Sequence, residues 1–186
     1  MKTLLLYGLF ILASFQPLLA DAKTEYQTIE WVQLMPADDL EALMNPPEAL
    51  LNVADGSEMD TLDNLNSLGA DDPNAERFYQ ALKSAEVVEA FNEKSIRLPG
   101  FVVPLAIDEN NLVTEFFIVP YFGACLHLPP PPPNQIIFAK VTEGFELDSL
   151  YNPFWFEGQL MIEQNENDLG TSAYTLKLDS LYLYEE

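Results

Sequence analysis

The chain has 186 residues, with 30 Asp and Glu against 8 Lys and Arg, for a net charge of −22. Apolar residues make up 48% and aromatic residues 12%, enough for one folded domain with a real core and a smaller helical appendage. So anionic a surface repels phosphate backbones, which excludes a general nucleic-acid-binding role and favours cations and basic partners.

In chain order, the first element is a processing signal. Lys2 precedes an apolar run from Leu4 to Phe15, and Ala20-Asp21-Ala22 offers a small-x-small cleavage site, so residues 1–22 read as a secretory signal peptide. The run is short for a membrane span. The expected product is periplasmic or secreted, with no membrane span after cleavage and no cysteine at the cut for a lipid anchor.

Residues 23–93 form the first expected unit. Thr28 to Pro36 reads as a strand, and Asp38 to Met44 as a short helix with acidic residues in its first turn, stopped by Asn45-Pro46-Pro47. Residues 48–73 are acidic and turn-rich, a loop with at most one weak helix. Its carboxylates lack the ordered spacing and central glycine of an EF-hand loop. Asn74 to Phe91 reads as the clearest helix, with Phe78, Ala81, Leu82, Ala85 and Val88 or Glu89 on one buried face.

Residues 94–186 read as strands. Ser95 to Ile107 alternates, with a bulge or bend expected at Pro99-Gly100. Leu112 to Val119, Gln135 to Val141, Phe154 to Ile162 and Ala173 to Tyr184 follow, with Gly158 at a bend. Five strands after a helical segment predict a mainly β fold, a small, strongly bent antiparallel barrel of the OB type, with a split β-sandwich as the alternative.

Between the second and third of these strands lies Val119-Pro120-Tyr121-Phe122-Gly123-Ala124-Cys125-Leu126-His127-Leu128, then Pro129 to Pro133 and Asn134-Gln135. It holds the only cysteine and the only histidine of the chain. On a strand, residues two apart share a face, which brings Cys125 and His127 together. Thiolate and imidazole both ligate zinc and copper. Two ligands do not close a tetrahedral site, so a carboxylate, a partner or a second copy must complete it; Glu115 is the first carboxylate candidate, with Asp108, Glu109, Glu143 and Glu146 in the same region.

A nucleophile–base pairing of Cys125 with His127 is awkward, because Cα atoms two apart on a strand are about 7 Å apart and a third residue would be needed to orient the imidazole. A third reading is structural. Five prolines form a stiff polyproline II rod without backbone donors, suited to an edge or to an aromatic groove on a partner. Tyr121, Phe122, Gly123, Pro129, Pro130, Pro131, Pro132, Asn134 and Gln135 are the candidate binding residues of that surface.

The stretch from Gly100-Phe101-Val102-Val103-Pro104-Leu105 through Glu115-Phe116 to Cys-x-His, the prolines and Asn134-Gln135 resembles an uncharacterised bacterial family, domain of unknown function 3299. Residues 95–141 carry the likeness, and Trp155 to Gly158 fits it. The resemblance implies an exported protein, often a lipoprotein, without an established activity. It also implies an ABC-transporter or envelope partner, in places linked to zinc supply. The leading expectation is therefore a non-enzymatic zinc- or copper-handling protein using Cys125, His127 and Glu115, and the alternative is a polyproline docking module.

Overall fold

The computed structural model describes residues 24–48, 74–124 and 130–185, together with residues 52, 57 and 67. Its strands are β1 (Gln27–Thr28), β2 (Lys94–Ile107), β3 (Val113–Val119), β4 (Ile137–Phe145), β5 (Phe154–Met161), β6 (Asn165–Asn167), β7 (Gly170–Ser172) and β8 (Tyr174–Leu183). The α-helices among the described residues are short: α1 (Ala37–Met44) and α2 (Ala75–Ala81).

β2, β3, β4, β8 and β5 follow one another around a closed barrel, because β2 pairs with both β3 and β5. Residues Lys94 to Gly100 lie against β5, and Phe101 to Ile107 lie against β3. This order is that of an OB-type barrel. Four pairings are antiparallel and one, β4 with β8, is parallel. A closed ring with an odd number of strands cannot alternate direction all the way round, so the antiparallel barrel read from sequence contains one parallel pairing.

Alternation decides what fills the barrel. Ile96, Leu98 and Val102 of β2, Phe116 and Ile118 of β3, and Phe154, Phe156 and Leu160 of β5 point inward and are buried. Each such side chain contributes about 1.5–3 kcal/mol by leaving water. The expected bulge at Pro99-Gly100 is displaced: register shifts fall at Pro104 to Ile107. Gly100 instead marks the crossover of β2 from one neighbour to the other, where a Cβ would sit 2.8 Å from Ile118 Cγ2 and 3.0 Å from the Val119 carbonyl.

β8 contains a further shift. Glu157 faces Ser180 while Gly158 faces Leu178, which leaves Asp179 as an extra residue. The bulge reverses the inside–outside phase, so Leu178 and Leu181, three apart, both pack on the core. Gly158 lies under this bulge, where a Cβ would run into the Lys177 carbonyl.

Two N-terminal expectations change. The strand over Thr28 to Pro36 is reduced to β1, and Trp31–Leu34 turns as a 3₁₀ helix. That turn seats Ile29 and Leu34 in the barrel core and lets Trp31 Nε1 donate to the Pro99 carbonyl at 2.7 Å. The helix over Asn74 to Phe91 ends at Ala81, and only Glu89–Phe91 turns again, as 3₁₀. Buried side chains outbid the helix for its backbone: the Val88 N–H donates to the Tyr174 hydroxyl at 2.8 Å, and the Glu86 carbonyl accepts from Asn134 Nδ2 at 3.0 Å. Ala85, expected on the buried face, is exposed.

Candidate functional site

The β3–β4 connection leaves the barrel at Val119 and turns at once. Gly123 has φ of 77°, the left-handed region that glycine enters without steric cost, and the Ala124 N–H donates to the Tyr121 carbonyl at 3.3 Å. Ala124 is buried with Phe117, Val119 and Ile136 on the outer face of β3, a second apolar cluster separate from the barrel interior. Residues 125–129 lie outside the described residues, and with them the expected ligands Cys125 and His127 and the candidate binding residue Pro129.

From Pro130 the chain is again described. Pro130 is exposed, whereas Pro131 and Pro132 are buried. Pro132 keeps polyproline II angles, φ −64° and ψ 158°. The Pro133 carbonyl accepts from the Ala173 N–H at 2.8 Å. Pro130, Pro131 and Pro132, with the expected binding residues Tyr121 and Gln135, line a shallow cavity of about 420 Å³ against Met35, Leu43, Phe78 and Leu82.

Asn134 and Gln135, expected as binding residues, face inward. Asn134 Nδ2 donates to the Asp39 carboxylate at 3.3 Å as well as to the Glu86 carbonyl. The reverse amide orientation would set its oxygen against two acceptors, so these partners determine which way the amide points. Arg77 meets the same buried Asp39 at 2.6 Å. Its guanidinium is held above its ordinary pKa chiefly by that hydrogen bond. Gln135 Nε2 donates to the Trp31 carbonyl at 2.9 Å. The Asn-Gln pair therefore ties α1, the segment after α2 and the 3₁₀ turn at Trp31 to the barrel.

Glu115 is placed on β3 opposite Lys140, whose ammonium it binds at 2.6 Å. Asp108 closes the β2–β3 turn, accepting from the N–H groups of Asn110 and Leu112 at 2.8 Å each. The backbone bond from Leu112 leads in holding its carboxyl below the usual value. Among the described residues, no three His, Cys, Asp or Glu side chains gather as a metal site.

Geometry brings together a different set beside the connection. Phe101, Val103 and Pro104 of β2, Val119 of β3, Phe122 of the connection and Leu169 of the β6–β7 turn line a groove of about 220 Å³, with Leu150 at its edge. Phe122 stacks on Tyr151 at 4.2 Å between centroids and meets Phe101 edge-on at 6.4 Å. Tyr151 is 72% exposed, Leu169 60% and Leu150 47%, so large apolar side chains reach solvent as a group rather than singly.

Two of the expected binding residues, Phe122 and Gly123, line this groove, and Tyr121 is exposed beside them. Leu150, Tyr151 and Leu169 were missed from sequence. The available signal was a bulky apolar residue at a turn tip between polar neighbours, as in Asp168-Leu169-Gly170 and Ser149-Leu150-Tyr151-Asn152.

The model of a family described as protein of unknown function (DUF3299) matches residues 31–183. The chain belongs to the DUF3299 family. A crystal structure of a DUF3299 protein from Pseudomonas aeruginosa PAO1, at 2.45 Å resolution, is 34% identical in sequence. The match covers 88% of this chain and 99% of that one, with a TM-score of 0.61. No curated protein matches the chain. The DUF3299 match begins at Trp31, so it includes the N-terminal turn that shares the barrel core.

Proposed function

We propose that this DUF3299 protein is an exported, non-enzymatic interaction module that docks a partner protein through the outer face of the β3–β4 connection. The observation that carries the reading is the groove beside that connection, whose apolar floor is rimmed by the exposed Phe122–Tyr151 stack and by Leu169. Exposed aromatic side chains around an apolar pocket are the composition of interface anchors. The signature residues support this surface in two ways. Phe122 and Gly123 form part of it, and Asn134 and Gln135 hold the barrel-side end of the same connection in place.

Photo-crosslinking in cells tests the proposal. A benzophenone amino acid replacing Tyr151 or Phe122 is expected to give a discrete adduct with one protein, and the same probe at exposed Lys177 on β8 is expected to give none. Equal adducts from all three positions, or none from any, would remove the docking reading.

A second reading is zinc handling through Cys125 and His127, in the setting of an ABC-type transporter. It is favoured by the confinement of the only thiol and only imidazole to one tripeptide between anchored flanks, Ala124 on one side and Asn134-Gln135 on the other. Its test is the zinc content of untagged protein beside zinc titrations of wild type, Cys125→Ser and His127→Ala. Near-stoichiometric zinc lost in either variant supports it. Glu115 as third ligand must leave Lys140, so Lys140→Ala should tighten zinc; unchanged affinity takes Glu115 out of the ligand set.

A further inference from the structure

We infer that the groove takes one large apolar side chain carried by a positively charged segment of the partner protein. This rests on the docking reading above and names the partner's chemistry. The first argument is size. At about 220 Å³ the cavity is smaller than the roughly 300–1,000 Å³ of pockets that enclose cofactors and drug-sized ligands. It is the right scale for a single leucine, phenylalanine or tryptophan anchor seated between Val103, Val119 and Leu169.

The second argument is charge. Acidic residues flank the turn tips that reach the groove, and no basic residue does so: exposed Asp148 stands two residues before Leu150, and exposed Asp168 immediately precedes Leu169, with Glu166 on the same hairpin. The chain as a whole carries −22. A second copy would bring the same charge against this rim, and an anionic lipid surface would be repelled in the same way. A basic segment gains on both counts: long-range attraction speeds its encounter, and the apolar anchor sets its lifetime in the groove.

The third argument is backbone chemistry. Pro104 lies in the groove floor on β2 and lacks an N–H, so that stretch of β2 is a poor template for adding a strand. Recognition here runs through side chains, not through main-chain pairing.

The experiment uses the full mature chain and fluorescein-labelled 15-residue peptides, read by anisotropy. One peptide is lysine-rich with a central tryptophan, a second replaces that tryptophan by alanine, and a third replaces the lysines by glutamates. The first is expected to bind at least tenfold more tightly than either of the others, and to weaken as salt rises. Leu169→Asp and Val103→Asp are expected to abolish the preference for tryptophan over alanine while circular dichroism stays that of the wild type. A Leu169→Ala variant is the milder substitution should either fail to fold, and it should reduce the preference severalfold.

Equal binding of the tryptophan and alanine peptides would overturn the inference, because attraction would then be diffuse and the groove empty. Preference for the glutamate peptide, or salt-sensitive binding unaffected by every groove variant, would overturn it too. If the basic peptides fail while the Tyr151 and Phe122 crosslinks persist, the docking reading stands and the partner class is wrong. Loss of the crosslinks as well brings down the docking reading itself.

Discussion

Replacing Asn134 by Asp exchanges an amide donor for a carboxylate of the same shape, at a position with no solvent access. The new carboxylate faces Asp39 at the 3.3 Å now spanned by a hydrogen bond, and the Glu86 carbonyl at 3.0 Å. Two unit charges at that separation repel by about 5 kcal/mol at an effective dielectric of roughly 20. Taking up a proton is the cheaper response. Holding an ordinary carboxyl protonated at pH 7 costs about 4 kcal/mol, which sets the expected loss of stability for Asn134→Asp at that pH.

The sign of the pH dependence follows. The folded variant binds one more proton than its unfolded chain, so its stability falls as pH rises and recovers on acidification. The deficit relative to wild type should shrink by about 1.4 kcal/mol per unit between pH 7 and pH 5. Asn134→Ala removes both donated bonds without adding charge, and should cost about 2 kcal/mol with no such slope. Urea denaturation of wild type and both variants at pH 5, 6 and 7 measures all of this. A deficit for Asn134→Asp that is flat with pH, or no larger than that of Asn134→Ala, would refute the placement of Asn134 against Asp39.

Gly158→Ala puts a methyl against the Lys177 carbonyl at the β8 bulge and is expected to cost about 3 kcal/mol in the same denaturation assay; a neutral result would mean that β5 and β8 do not approach so closely. Tyr174→Phe strips the hydroxyl that donates to the Leu34 carbonyl at 2.9 Å and accepts from the Val88 N–H, an expected loss of about 2 kcal/mol at pH 7. Burial pushes the Tyr174 phenol above its ordinary value of 10.0, so its contribution is present below that pH and is lost as pH rises beyond it. The Phe variant should therefore show a shallower loss of stability on the alkaline side, and an unchanged alkaline limb would count against a buried phenol.

The barrel strands were legible because each obeys a local rule. Phe116 and Ile118, or Phe154 and Phe156, alternate inward because side chains two apart share a face, and each strand boundary came within a few residues of its observed place. The N-terminal segment was not legible, because no local rule governs it. Helical spacing from Phe78 to Val88 was real, yet the Glu86 carbonyl and the Val88 N–H are claimed by Asn134 and Tyr174, 48 and 86 residues away along the chain. Propensity is a weak prior, and tertiary partners overrode it.

The same division runs through the candidate site. The sequence alone determined the OB-type strand set and the acidic surface, because composition and period two are properties of neighbours in the chain. Only the tertiary structure decided that Asn134 and Gln135 are internal ties, that Glu115 belongs to Lys140, and that Leu150, Tyr151 and Leu169 join Phe122 around one groove. Those are contacts between residues far apart in sequence, created when the barrel closes through β2 and β5, and no local pattern encodes which turn tips that closure brings together.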